Sequence, residues 1–325
     1  MLFVSLVAFA LATIMVSGGL LQHSWKINTG NTNSTVSGKS TCVAHNLTVA
    51  ATSNNFKLLF PEPANQVAAT ESVVELLQTN SSSFARANDG QKIITGNYNI
   101  YGQFCFSSDS EAAKHVQTIQ FLTHGDTLDS TYWDIAPGYS YIDAAIGAGY
   151  ATFSYDRIGV GKSDHPDPIQ IVQGPLQVEI AHALVTLIRS TQIEKQSFKN
   201  VVGVGHSAGS TVTQGVTTKY PQDFDAVILT GTSISANYVT AALASFDLTI
   251  ANTDASGRFA GLSNGYLVQP IQQSIQFPYY RFPNFDPKSK FSLPLSLTSA
   301  LLSSIQTSRW ESQTNKPRPS VSSSR

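Results

Sequence analysis

The chain has 325 residues, 42% hydrophobic and 13% charged, with a formal net charge of −1. That length and apolar content suffice for one large buried core with an inserted lid. The near-zero charge leaves no basic surface for nucleic acid or anionic membrane. The only cysteines, Cys42 and Cys105, are too few for a disulfide framework and have no metal-ligand spacing. Neither a metal nor a cofactor is expected.

The stretch Leu2 to Gly19 is uncharged and ends in Ser17, Gly18 and Gly19, small residues of the kind found at a secretory cleavage site. No Lys or Arg precedes it. Extended to Leu21 it counts 20 residues, long enough for an uncleaved anchor. Residues 1–22 are therefore expected to be a signal peptide, with a membrane anchor as the alternative, and membrane contact only in the second case. Asn-x-Ser/Thr triplets begin at Asn33, Asn46 and Asn80; behind an apolar leader they point to a secreted glycoprotein. In an oxidising compartment Cys42 and Cys105 are candidates for a disulfide, with two unpaired thiols as the alternative. Residues 23–41, rich in Ser, Thr, Asn and Gly, read as a polar linker with nothing to pack.

β-Branched and aromatic residues predict strands over His45–Ala51 and Asn97–Phe106. A short amphipathic helix is expected between them at Ala69–Leu77. A regular alternation starts at Val116. It gives a strand over Val116–Leu122, a helix near Tyr141–Gly147 and a strand over Tyr150–Tyr155. A helix across 176–193 follows, its apolar residues at 176, 180, 184, 187 and 188 forming one stripe. Next come a strand over Val201–Val204, another helix, and a strand over Ala226–Leu229. Such repeats imply an α/β fold, a doubly wound, mostly parallel sheet covered on both faces, spanning residues 42–233.

After Gly231 the pattern loosens. Residues 234–288 carry Ala-rich helical pieces and an aromatic run, Phe277 to Phe285, and read as a helical lid. The tail, 289–325, holds twelve serines and one acidic residue, Glu311. No strand is evident in it, and it reads as disordered.

Chemistry concentrates at Gly205-His206-Ser207-Ala208-Gly209, between a short apolar strand and a helix. A G-x-S-x-G turn in that setting crowds the backbone and lifts the serine Oγ above the sheet, which makes Ser207 the candidate nucleophile. A purely structural turn, with Ser207 capping the helix, is the plainer alternative. Two look-alikes fail. Asp156 to Ser163 resembles a phosphate loop, but Asp156 stands where that loop needs its first glycine. It reads instead as a tight turn tied by an Asp–Arg pair. Gly203 to Ala208 resembles a dinucleotide fingerprint, but Asp223 and Asp225 precede the next strand rather than ending it.

Phe121-Leu122-Thr123-His124-Gly125, Tyr155-Asp156-Arg157 with Gly159, Gly161 and Ser163, and Gly205-His206-Ser207-Ala208-Gly209 occur in the order and spacing of the α/β-hydrolase superfamily. With the leader, the triplets and the sequence from Tyr98 to Cys105, residues 42–290 resemble secreted fungal members of that superfamily. The resemblance implies hydrolysis of an ester or related acyl bond, with a small-molecule or lipid-like ester as substrate. It implies an oxyanion hole from the backbone N–H groups of Ala208 and Asp126, with Gly125 allowing close approach. His124 is expected to shape that loop.

The rest of a triad is not visible. In this superfamily the order is Ser, then Asp or Glu, then His. All seven histidines, His23, His45, His115, His124, His165, His182 and His206, precede Ser207. Asp247, Asp254 and Asp286 fall in lid-like sequence, and the last two strands are missing. One reading is a tail altered by a retained intron or frameshift. A second is a non-catalytic binding or surface protein on the same fold. A third is a substitute base, His165 or His124.

Overall fold

The computed structural model describes residues 26–28, 34–37, 40–78, 86–190, 196–232, 244–281, 283–285 and 297–299. The leader, Asn33, Asn80, Asp286 and most of the tail lie outside the described residues.

The sheet is seeded by a long antiparallel pair, β3 (Ser40–Leu58) and β4 (Asn88–Ser107), in register from Ser40↔Ser107 to Leu58↔Asn88. Both run well past the apolar stretches that predicted them. On β3, Leu47, Val49, Ala51 and Ser53 are buried while Asn46, Ala50, Thr52 and Asn54 are exposed, the two-residue period of a strand covered on one face. The exposed face is polar and loop-like in composition. Cross-strand bonds hold it: Thr48 to Asn99 at 2.7 Å, Thr52 to Thr95 at 3.0 Å and Asn54 to Gln91 at 2.6 Å. Two further strands pair antiparallel with β3, β1 (Lys26–Asn28) and β2 (Ser34–Ser37). The segment expected to be an unpacked linker thus extends the sheet, since β3 offers it a free backbone edge. Helix α1 (Gln66–Leu77) connects β3 to β4, capped by the Asn65 side chain on the Ala68 N–H.

The remaining strands are β5 (Thr118–Thr123), β6 (Ala151–Tyr155), β7 (Asn200–His206) and β8 (Ala226–Thr230). The order is β1-β3-β4-β6-β5-β7-β8. From β6 to β8 neighbouring strands run parallel, and β4 meets β6 antiparallel. Helices α2 (Ser110–Lys114), α3 (Tyr141–Gly147), α4 (Gly174–Ser190) and α5 (Ala208–Lys219) connect them. Alternation along β5 sorts its side chains into two cores. Phe121 packs with Phe153, Leu184 and Val216 beneath α4 and α5, whereas Leu122 packs with Trp133, Ile142 and Ile146 beside α3. Helices therefore cover both faces, as the repeated units required.

Among the described residues no strand joins this sheet beyond β8, where Val227 and Ile228 are exposed. The chain instead builds a second sheet of β9 (Thr249–Ile250), β10 (Tyr266–Val268) and β11 (Leu297–Ser299). β11 lies in the tail that shows no strand signal; it pairs antiparallel with β10. Three residues are too few for periodicity to reveal, and the ladder with β10 supplies what local sequence does not. Helix α6 (Gln272–Tyr279) completes the segment expected to be a lid.

Cys42 and Cys105 stand opposite each other in the β3–β4 register and are disulfide-bonded. Asn46 is exposed on β3, one strand in from β1. Among the described residues no helix is long and apolar enough to cross a membrane.

Candidate active site

Ser207 sits between the end of β7 and the start of α5 with φ 52° and ψ −121°, a backbone conformation that costs a residue bearing a β-carbon on the order of 1–3 kcal/mol. The turn is fixed on both sides. The Ser207 N–H donates to the Thr230 carbonyl at 2.9 Å, and the Ser210 N–H donates to the Ser207 carbonyl at 2.9 Å. The flanking glycines permit it: a β-carbon on Gly205 would stand 2.4 Å from the Ser210 Cα, and one on Gly209 would stand 2.1 Å from the Thr123 carbonyl oxygen. The Ser207 side chain does not cap α5, so the plain N-cap role does not explain the residue. Ala208 is the first residue of α5, so its N–H has no acceptor within the helix and points out of the helix end with the positive end of the dipole.

The loop after β5 lies against this turn. A β-carbon on Gly125 would come 3.1 Å from the Ser207 β-carbon, so a larger residue would force the loop and the turn apart by a few tenths of an ångström. His124 is completely buried. Its Nδ1–H donates to the Gly125 carbonyl at 2.8 Å, and its Nε2 accepts the Arg157 backbone N–H at 3.0 Å. Both ring nitrogens are thus used in one neutral tautomer. Burial and then the Arg157 charge hold its pKa well below the usual histidine range. His124 shapes the loop and cannot take a proton from Ser207 without breaking it.

Arg157 is 4% exposed and forms an ion pair with Asp126 at 2.7 Å. It also donates to the Gly125 carbonyl at 3.0 Å and to Gln177 on α4 at 2.6 Å. The tying pair of this turn is therefore Arg157–Asp126, not Asp156–Arg157. Asp156 instead accepts the Ser130 N–H at 2.9 Å and the Lys162 N–H at 2.8 Å. Its carboxylate fills the turn that resembled a phosphate loop. Gln177 is a buried polar residue of α4.

His206 ends β7, directly before Ser207. Its ring stacks on Tyr132 with centroids 4.6 Å apart, and its Nδ1 lies 3.1 Å from the Thr230 hydroxyl. That hydroxyl gives its proton to the Gly205 carbonyl at 3.0 Å, so Nδ1 is the donor to Thr230. Burial lowers the His206 pKa. His165 packs edge-on against Tyr266 of β10 at 5.6 Å, and burial lowers its pKa as well. Its buried Nε2 has no hydrogen-bond partner. Among the described residues, then, no histidine is hydrogen-bonded to the Ser207 hydroxyl. Asp247 accepts from Ser274 and Asp254 from Ser256, each within the same outer segment.

That outer segment packs on the loop after β5. Thr127, with φ 60°, has its hydroxyl 3.1 Å from that of Tyr279 at the end of α6. Leu128 packs with Ile275, Tyr132 and Tyr280. The aromatic run is divided: Tyr279 and Tyr280 meet the loop, whereas Phe277 is 82% exposed. Tyr132 and Thr127 carried no signal in the sequence. A separate, mostly apolar cavity of about 390 Å³ lies on the other flank of α5, lined by Phe56, Val178, Thr211, Gly215 and Thr218; it does not include Ser207. Among the described residues no group of acidic, His or Cys side chains could hold a metal ion.

The model of the alpha/beta hydrolase family matches residues 121–316, which contain both the loop at 124–126 and Ser207. No curated protein matches the chain. Similar solved structures include an epoxide hydrolase from Vigna radiata (TM-score 0.31, 17% identity, 41% of this chain and 34% of that one). An esterase from Exiguobacterium antarcticum (TM-score 0.31, 17% identity) covers 41% of each chain. Epoxide hydrolase A from Mycobacterium thermoresistibile (TM-score 0.31, 18% identity) covers 40% of this chain and 35% of its own. The chain spans less than half the length of each. The family match takes in more than half of the chain, and the chain belongs to the alpha/beta hydrolase family.

Proposed function

We propose that the chain is a secreted hydrolase of the serine type, acting on an ester or related acyl bond. The observation that carries this is the backbone of Ser207, held at φ 52° between Gly205 and Gly209 at the mouth of α5. In the proposed reaction the Ser207 Oγ adds to the acyl carbon. The carbonyl electron pair moves onto its oxygen, which faces the Ala208 and Asp126 N–H groups. Collapse expels the alcohol, which leaves with the serine proton; water then releases the acid and restores Ser207. The segment with α6, packed on Thr127 and Leu128, is the proposed lid. The apolar leader, exposed Asn46 and the Cys42–Cys105 bond support export.

Proton transfer from Oγ to the alcohol calls for a base, and among the described residues no histidine is hydrogen-bonded to the Ser207 hydroxyl, His124 having both ring nitrogens in use. That observation favours a second reading, a non-catalytic binding protein on the same scaffold. A fluorophosphonate separates the two. Labelling of Ser207 that disappears in Ser207→Ala supports the hydrolase. A folded wild-type protein that stays unlabelled rules it out in favour of the binding protein.

A further inference from the structure

Two donors converge on one carbonyl beside the elbow. The Gly125 oxygen accepts from His124 Nδ1 at 2.8 Å and from Arg157 Nη2 at 3.0 Å. In a planar trans peptide the C=O and the following N–H point in opposite directions. A carbonyl pinned toward the interior by two buried donors therefore turns the Asp126 N–H the other way.

We infer that Arg157 is the positioning residue of the oxyanion hole, holding the Gly125–Asp126 peptide so that its N–H faces the substrate side of Ser207. The guanidinium suits the task because its rigid fork reaches three acceptors at once. One arm bonds Gln177 on α4, the other the Gly125 carbonyl and the Asp126 carboxylate. The Arg157 backbone N–H closes the ring by bonding His124 Nε2, which leaves the opposite ring nitrogen to donate to the same Gly125 oxygen. The Asp126 carboxylate neutralises the buried charge. A lysine would keep the charge but could not span Gln177, Gly125 and Asp126 together. Arg157 thus acts through the peptide it anchors and touches no reacting atom.

The catalytic half of this inference rests on Ser207 as nucleophile; the peptide orientation does not. The test measures saturation kinetics of fluorophosphonate labelling for the wild type, Arg157→Lys and Gln177→Leu, with thermal melting as the check on folding. Arg157→Lys is expected to lower the maximal labelling rate on the order of 30-fold, less than the loss of a whole donor. The half-saturating probe concentration should stay within about twofold, since ground-state binding does not use the oxyanion hole. Gln177→Leu, which loosens one arm, should give a smaller fall of about fivefold and decides the matter if Arg157→Lys does not fold. An unchanged maximal rate in a folded variant overturns the inference. If wild-type Ser207 takes no label, the nucleophile reading falls, and a crystal structure of Arg157→Lys decides the orientation. A rotated Gly125–Asp126 peptide supports the anchoring role, and an unmoved one overturns it.

Discussion

Gly125 and Ser207 are so close that a β-carbon on the glycine would stand 3.1 Å from the serine Cβ and 3.2 Å from the His206 carbonyl oxygen. This contact joins the loop after β5 to the turn after β7, two segments adjacent only because β5 and β7 pair in parallel from Thr118↔Asn200 to Thr123↔Gly205. Gly125→Ala must push the loop away by a few tenths of an ångström. Such overpacking costs about 1–3 kcal/mol of stability. The displaced donor should slow fluorophosphonate labelling by roughly tenfold or more. A folded Gly125→Ala protein labelled at the wild-type rate would show that the spacing is not used.

Gly209 meets a harder obstacle. Its β-carbon would fall 2.1 Å from the Thr123 carbonyl oxygen and 2.6 Å from that of His124, both main-chain atoms of the central strand and its exit. Neither can swing aside as a side chain would. Gly209→Ala is expected to cost about 3 kcal/mol or more, read as a fall in the denaturant midpoint at unchanged slope. A midpoint shift equivalent to less than about 1 kcal/mol would contradict the packing described.

The fold was legible where residue periodicity carries it. The stripe at 176–188 becomes α4, and the apolar run at Val201–Val204 lies within β7, because burial on one or both faces dictates those patterns. The outward face of the β3–β4 pair was hidden for the opposite reason: Thr52, Asn54, Thr95 and Gln91 look like loop residues until they bond across the strands. β11 was hidden because three residues take their conformation from the partner strand. At the site, the strained turn at Ser207 was visible through its glycines, whose spacing reflects backbone crowding. The partner of Arg157 was not, because sequence proximity favoured Asp156 while the ion pair crosses 31 positions to Asp126. Tyr132 stacking on His206 is likewise a tertiary fact with no local signature.

The Cys42–Cys105 bond links strands 63 residues apart in sequence. Closing a loop of that size restricts the unfolded chain by about 4 kcal/mol in the chain-entropy description. Replacing both cysteines by alanine is therefore expected to lower stability by about 2–4 kcal/mol, because β3 and β4 remain paired along their whole length. The check is urea unfolding of the oxidised protein against the double variant. Equal midpoints would mean that the ladder alone sets the closure.

The three histidines around the elbow and its flank give stability a definite pH dependence. Burial lowers the folded-state pKa of His206 and His165, and burial together with the Arg157 charge holds His124 well below its ordinary 6.5. In the unfolded chain each takes up a proton as pH falls through about 6.5. The folded chain resists doing so, and His124 most of all, because its Nε2 already accepts the Arg157 N–H. The unfolded state then binds more protons, so stability is fully present above pH 6.5 and declines below it. The slope is about 1.4 kcal/mol per pH unit for each histidine kept neutral. Asp156, whose carboxyl burial raises above its usual range, works in the opposite direction at the acidic end and blunts the decline there. His124→Gln keeps a donor and an acceptor but does not titrate. Between pH 6 and 5 its stability should fall less steeply than the wild type's by about one proton, measured as urea midpoints across that range. Parallel curves for the two proteins would mean that His124 takes up its proton in the folded state, and that the tautomer binding Gly125 and Arg157 is not maintained.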